Sequence, residues 1–233
     1  MSDETSEGGA KILRHDASGH EGGVIYADDA RISAHLRRTL GAGDDAMVWH
    51  ELVSDRVHID IHLVPPTEDR PFFVLVTSGM SGAPMDLPST VEDPEQWRRA
   101  ELCLFLPADW PTDQASWNDE ASYWPVRLLK SLARLPHLYN TWLGWGHSIP
   151  NGDPAVPYAE NTAFVGAVIL PPYVLGDAFF VDDQKGDIIR FFQVVPVYAE
   201  ELDYKLQKGT DALVDALPDA AIGPIDIDRA PAG

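Results

Sequence analysis

Residues 57–78 read VHIDIHLVPPTEDRPFFVLVTS, and the fold turns on how they are read. From Val57 to Val64 the side chains alternate with a period of two. That pattern predicts a strand with His58, Asp60 and His62 on one face and Ile59, Ile61 and Leu63 on the other. Pro65-Pro66 ends it, because proline brings no N–H to a ladder. Phe72 to Ser78 is nearly all apolar, as expected of a strand covered on both faces. Upstream, Met47 to Val53 predicts a partner strand joined to the first through Asp55-Arg56 as a hairpin.

Working outward, Asp28 and Asp29 cap a helix running to Leu40, with Ile32, Leu36 and Leu40 four apart and Gly41 and Gly43 stopping it. Ala100 to Leu106 predicts a further strand. Trp124 to Leu135 predicts a helix with Pro125 in its first turn and Pro136 closing it. Trp124, Leu128, Leu132 and Leu135 share one face of that helix, and Arg127, Lys130 and Arg134 line another. Strands are expected at Ala163–Leu170, Phe179–Asp182 and Ile188–Tyr198, the last at an edge or bulge because of Pro196. Helices follow at Ala199–Lys208 and Asp211–Leu217. Regular βα alternation is missing and several joins are hairpin-length. The expectation is therefore an α/β fold of the α+β type, with a mixed, mainly antiparallel sheet flanked by helices. A single domain is expected over residues 26–217, preceded by a flexible leader over 1–25. Residues 218–233 read mostly as a tail, with Ile225 and Ile227 able to dock.

The chain has 233 residues, 45% of them hydrophobic and 23% charged, enough to build a sizeable core and to exclude wholesale disorder. Seventeen Lys and Arg stand against 37 Asp and Glu, a formal charge of −20. Such a surface repels phosphate backbones and anionic lipid, so neither nucleic acid nor membrane is an expected partner. The one cysteine, Cys103, excludes an internal disulfide and a Cys-based zinc cluster. The first residues have no signal-peptide pattern, and no stretch approaches the roughly 18 apolar residues of a membrane span. A cytoplasmic protein is expected.

Two constellations could carry function. His58, Asp60 and His62 could offer a metal three ligands from one strand face, although three ligands on a nearly straight strand would be strained. The segment HLYNTWLGWGHSIPNGDP, residues 137–154, gathers Tyr139, Trp142, Trp145, His147, Asn151 and Asp153 among three glycines. Long aromatic loops of this kind serve as binding surfaces, because Trp and Tyr give large, stiff contact area with a polar handle. No nucleophile elbow, dinucleotide fingerprint or phosphate loop is present, so neither catalysis nor a cofactor is expected.

The runs VHIDIHLVPPTEDRPFFVLVTSGMS, AELCLFLP, YWPVRLLKSLARLPHLYNTWLGWGHSIPNG, FVGAVILPP and FFQVVPVYAEELDYKLQKG resemble the suppressor of fused domain in its bacterial form, in collinear order over about residues 46–217. WLGWGHSIPNGDP is the most specific part. The resemblance implies a mixed sheet flanked by helices. In animals the family member is a negative regulator of Hedgehog signalling that clamps a transcription-factor peptide between two domains. This chain matches only the N-terminal one, so that partner does not carry over. For the bacterial form the resemblance implies an immunity protein neutralising a toxin, and the acidic charge suits a basic one. Three readings stay open: a non-catalytic protein-binding module, a metal-dependent enzyme using His58, Asp60 and His62, and a scaffolding or homo-oligomeric protein docking through the Arg127–Arg134 stripe. The oligomeric state is not legible.

Overall fold

In a computed structural model of the chain, residues 4–9, 11–13, 24–43, 46–50, 56–183 and 187–232 are described. A small ribbon pairs β1 (Glu4–Thr5) with β2 (Lys11–Ile12). Helix α1 (Asp29–Leu40) starts at an Asp28 cap, whose carboxylate accepts from Arg31 N, and ends at Gly41 with φ 63°. Then come β3 (Met47–Trp49), β4 (Asp60–Val64), β5 (Phe72–Ser78) and β6 (Ala100–Pro107). Helix α2 (Glu120–Tyr139) leads to β7 (Ser148–Pro150) and β8 (Gly166–Leu170). A helical turn α3 (Asp177–Phe180) precedes β9 (Val181–Asp182) and β10 (Ile189–Val197). Helices α4 (Ala199–Lys208) and α5 (Thr210–Ala216) follow.

The main sheet runs β3-β4-β5-β6-β10-β8-β7, with β9 beside the start of β10. Every pairing is antiparallel except β6 with β10. The alternation in β5 sorts as its composition requires. Leu75 enters the core under α2, whereas Phe72, Val74 and Val76 enter a second core under α1. Leu202 of α4, Leu213 of α5 and Leu217 just after α5 cover Val168, Leu170, Val195 and Val197 on that same second face. The result is three layers: α2 on one side of the sheet, and α1, α3, α4 and α5 on the other.

Several sequence expectations need correction. Helix α2 begins four residues early, on an Asp119 cap, so Pro125 is its sixth residue. The carbonyl that Pro125 cannot bond, that of Ala121, accepts instead from Asn161 Nδ2 at 3.0 Å. Pro136 lies within the last turn, and the helix runs on to an Asn140 cap with φ 49°. Of the strand expected at Phe179–Asp182, Val181 and Asp182 form β9, whereas Phe179 and Phe180 belong to the helical turn α3. Residues 51–53 of the first predicted strand lie outside the described residues. Most instructive is Pro196, which sits in a central strand. Val165 N donates to Val197 O, so the odd-numbered residues of β10 face β8 and Pro196 faces the other way. On that side the ladder with β6 has already ended at Gln193–Cys103.

The C-terminal segment fills the opening. Gln193 Nε2 donates to Ile222 O, Ile225 N to Phe105 O, and Arg229 Nη2 to Pro196 O. Ile225 is buried. Arg229 then forks onto Glu201 at 2.5 and 2.7 Å, with side chains 5% and 0% exposed.

A second buried carboxylate organises the opposite end of the sheet. Glu101 on β6 accepts from Gly79 N, Ser81 N and Ser81 Oγ on one oxygen and from Thr77 Oγ1 on the other. The turn it holds demands glycine. Gly79 has φ 148°, and a Cβ there would lie 2.0 Å from the carbonyl oxygen of His58. Gly79→Ala is expected to lower stability by more than about 2 kcal/mol, since neither backbone can give way cheaply. A urea titration with an unchanged midpoint would contradict this.

Candidate functional site

The aromatic segment is better ordered than its composition suggests. After the Asn140 cap, Trp142 folds back with its ring 4.3 Å from that of His147, at 70°. Gly144 permits the fold, since a Cβ there would strike the Trp142 ring at 2.7 Å. Gly146 N donates to Ile169 O while Ile169 N donates to His147 O, so two residues stand opposite one. With Gly146 at φ 82°, this is a glycine bulge. It turns the chain into β7, which pairs with β8 from Ser148–Val168 to Pro150–Gly166. Residues 148–150 are thus an edge strand, where the sequence suggested irregular chain. Asn151 then ties the following loop, donating through Nδ2 to Val156 O and Pro157 O. Asp153 lies exposed in that loop, before a cis bond to Pro154.

This mounting leaves one indole outward. Trp145 is 46% exposed, while Trp142 and Tyr139 are half-buried. The bulge sets Gly146, next to Trp145, opposite Ile169 near the end of β8, and beyond that end the chain continues into Pro171-Pro172 and the exposed Tyr173 and Val174. Behind it, Thr210 Oγ1 of α5 donates to Gly146 O at 3.2 Å. His147 is held neutral. Burial and the nearby Lys205 push its pKa down to about 4, and Gly144 N donates to its Nδ1. Its folded value lies below the ordinary 6.5, so the unfolded chain binds the extra proton first. The contribution is complete above pH 6.5, fades as pH falls toward 4, and amounts to about 3 kcal/mol. Stability measured from pH 7 to 4 should fall less steeply in His147→Gln; parallel curves would contradict this.

The three metal-ligand candidates are drawn into two separate hydrogen-bonded groups. Asp60 accepts from His58 Nε2 at 2.9 Å and pairs with His50 Nδ1 at 2.8 Å. His62 lies 2% exposed and turns its Nε2 to Asp29 at 2.8 Å. Burial lowers the pKa of His62 despite that carboxylate. Among the described residues no three His, Cys, Asp or Glu are disposed to hold a metal ion. The Arg127 end of the basic stripe is used internally, on Glu120 Oε1 and Tyr158 O.

A protein-family model, Suppressor of fused protein (SUFU), matches residues 55–230. The chain belongs to the suppressor of fused family. No curated protein matches it. Among solved structures, a SUFU homolog from Neisseria gonorrhoeae FA 1090 is similar at 18% identity and TM-score 0.64, covering 88% of this chain and 96% of that one. A Sufu-Fu complex is similar at 15% identity and TM-score 0.61, covering 88% and 92%. Drosophila Suppressor of Fused follows at 15% and 0.52, covering 78% of this chain and 44% of its own. At these identities the likeness speaks for the fold. The expected mixed, mainly antiparallel sheet flanked by helices is the one found. The family match also reaches past Leu217 into the segment that docks through Ile225 and Arg229.

Surface clefts among the described residues of this suppressor of fused domain include two. One, of about 230 Å³, lies between α1 and β3 and is lined by Ser33, Leu36, Arg37, Val48 and His62 among others. The other borders Pro157, Ala159, Glu160 and Thr162. Among the described residues, no helix is long and apolar enough to cross a membrane. Sequence reading passed over Tyr173 and Val174. Their signal was available, since two large apolar residues follow Pro171-Pro172 directly, outside any helix or strand pattern.

Proposed function

We propose that this member of the family is a non-catalytic, cytoplasmic protein-binding module. Its docking surface is the segment carrying Tyr139, Trp142, Trp145, His147, Asn151 and Asp153. The observation that carries the reading is Trp145: a large indole, 46% exposed, on a backbone fixed by a bulge, a cap and a helix behind it. A rigid aromatic anchor loses little entropy on binding, which is why such side chains dominate interface energies. Family membership supports the reading, and one similar structure is that of a Sufu-Fu complex. The finer role we assign is that of an immunity protein neutralising a toxin. The charge of −20 suits a basic toxin, because opposed fields raise association rates. No cofactor takes part in this reading. Cys103 is buried with its thiol pushed up by desolvation, and Ser81 Oγ is committed to Glu101.

The test is capture from the native cell. Trp145→Ala combined with Asp153→Ala is expected to lose most of the captured partner at an unchanged melting temperature. Undiminished capture by the folded double variant would overturn the assignment of this surface.

A further inference from the structure

We infer that the partner presents a lysine- or arginine-rich segment to the Trp145 end of the sheet, with one cationic side chain laid on the indole. The inference rests on the docking surface proposed above and names what occupies it.

Three observations lead there. First, the segment that carries this surface brings no positive charge of its own. From Leu135 to Gln184 there are fifty residues with no Lys or Arg and five acids, of which Asp153, Glu160, Asp177 and Asp183 are exposed while Asp182 is buried against Arg31 and Arg38. That stretch builds β7, β8 and the loops at either end of them. Its two histidines, His137 and His147, both have pKa values lowered by burial, so they add no charge near neutrality. Lys205, beneath the bulge, is 4% exposed and donates to Ser148 Oγ. Arg190, at the same end of the sheet, lies over Trp97 at 4.4 Å and donates to Gln96.

Second, exposed aromatic and apolar groups follow the end of β8, the strand that Gly146 pairs with beside Trp145. Trp145, Tyr173 and Val174 are 46%, 53% and 44% exposed. Asp177 follows Val174 by three residues, and Asp211 follows Thr210, whose side chain packs on Gly146; both aspartates are exposed.

Third, cations lie over several of the other aromatic faces of this molecule. Arg70 lies over Phe72, Arg190 over Trp97 and Phe180, and Arg229 over Phe164 and Tyr198. Among the described residues no such cation lies over Trp145. An exposed indole on a protein of charge −20 favours a cation twice over: the ring quadrupole attracts it, and the negative field of the protein draws it in.

The probe is a fluorescein-labelled nona-arginine peptide, titrated by anisotropy at 0.15 M salt, with a nona-glutamate peptide as control. The wild type is expected to bind nona-arginine saturably and to ignore nona-glutamate. Trp145→Ala should weaken binding about tenfold or more, while Trp145→Phe should keep a good part of it. Asp177→Asn with Asp211→Asn should weaken it several-fold. Glu68→Gln with Asp69→Asn removes the same charge from the β4–β5 turn, at the opposite end of the sheet, and should leave binding unchanged. Lys208→Glu, at the end of α4, should strengthen it. Equal affinity in wild type and a folded Trp145→Ala, or no saturable binding by the wild type, would overturn the inference. If native-cell capture still requires Trp145 while nona-arginine does not, the partner chemistry falls and the docking surface stands.

Discussion

Replacing Arg229 by alanine is expected to lower stability by about 3–5 kcal/mol, the usual cost of stripping the partner from a buried charge. For a chain of this size that corresponds to a fall of roughly 6–20 °C in melting temperature. Arg229 is not a surface ion pair. Its guanidinium meets both oxygens of Glu201, caps Pro196 O, and lies 4.7 Å from the centre of the Tyr198 ring. Tyr198 returns a hydrogen bond from its hydroxyl to Arg229 O. Glu201 in turn accepts from Tyr198 N and Ala232 N. Removing the arginine leaves a carboxylate, 0% exposed, with two N–H donors but no counter-charge, and frees the segment that closes the gap between β6 and β10. Arg229→Lys should recover part of the loss, since an ammonium restores the charge but not the fork. The pair also sets an acid limb. Burial pushes the Glu201 carboxyl up, but Arg229 and the two N–H groups outweigh it and hold the pKa below 4.5. Its contribution is therefore complete above about pH 4.5 and is lost as pH falls further. Urea titrations at pH 7 and pH 3.5 check both statements: the gap between wild type and Arg229→Ala should narrow in acid.

Glu101→Ala is the second large effect. The carboxylate is fully buried, and burial pushes its pKa up against the pull of its four donors. Deleting it strands the backbone N–H groups of Gly79 and Ser81 inside the protein, at roughly 1–3 kcal/mol each, so a total of about 2–6 kcal/mol is expected. Glu101→Gln should cost distinctly less, because Oε1 takes three of the four hydrogen bonds and an amide oxygen can keep them. Chemical denaturation separates the two variants. Equal losses would mean that the charge, not the acceptor geometry, holds the turn. The loss should also show locally, as faster amide exchange in residues 79–82 and around His137, whose Nε2 meets Met80 O at 2.8 Å.

How far the sequence carried can be seen at particular residues. Strand β5 and helix α4 fall where the patterns place them, at Phe72–Ser78 and Ala199–Lys208, because their signals are local: an apolar run closed by a proline-rich join, and an acidic first turn closed by glycine. Pro196 misled for a physical reason. The rule that proline belongs at an edge holds for its N–H side alone, and here that side faces a gap filled by a segment some thirty residues later. Arg229–Glu201 and Glu101–Ser81 carry no local signature, since each pair joins residues 28 or 20 apart whose types are common on any surface. The aromatic segment was legible as a recognition candidate. Its mount was not, because the bulge at Gly146 depends on the register with Ile169. The alternation in HIDIH holds within β4 for Asp60 and His62, whereas His58 lies before the strand, and what these side chains meet, His50 for Asp60 and Asp29 for His62, is set by other elements.

The most direct test of the central claim is photo-crosslinking in the native cell, with p-benzoylphenylalanine placed singly at positions 145, 173 and 68. An aromatic group is preserved at the first two positions, and position 68 samples the far end of the sheet. The account predicts one shared protein adduct from 145 and 173 and none of that mass from 68. Adducts from 68 alone, or none from 145 in a folded protein, would contradict it.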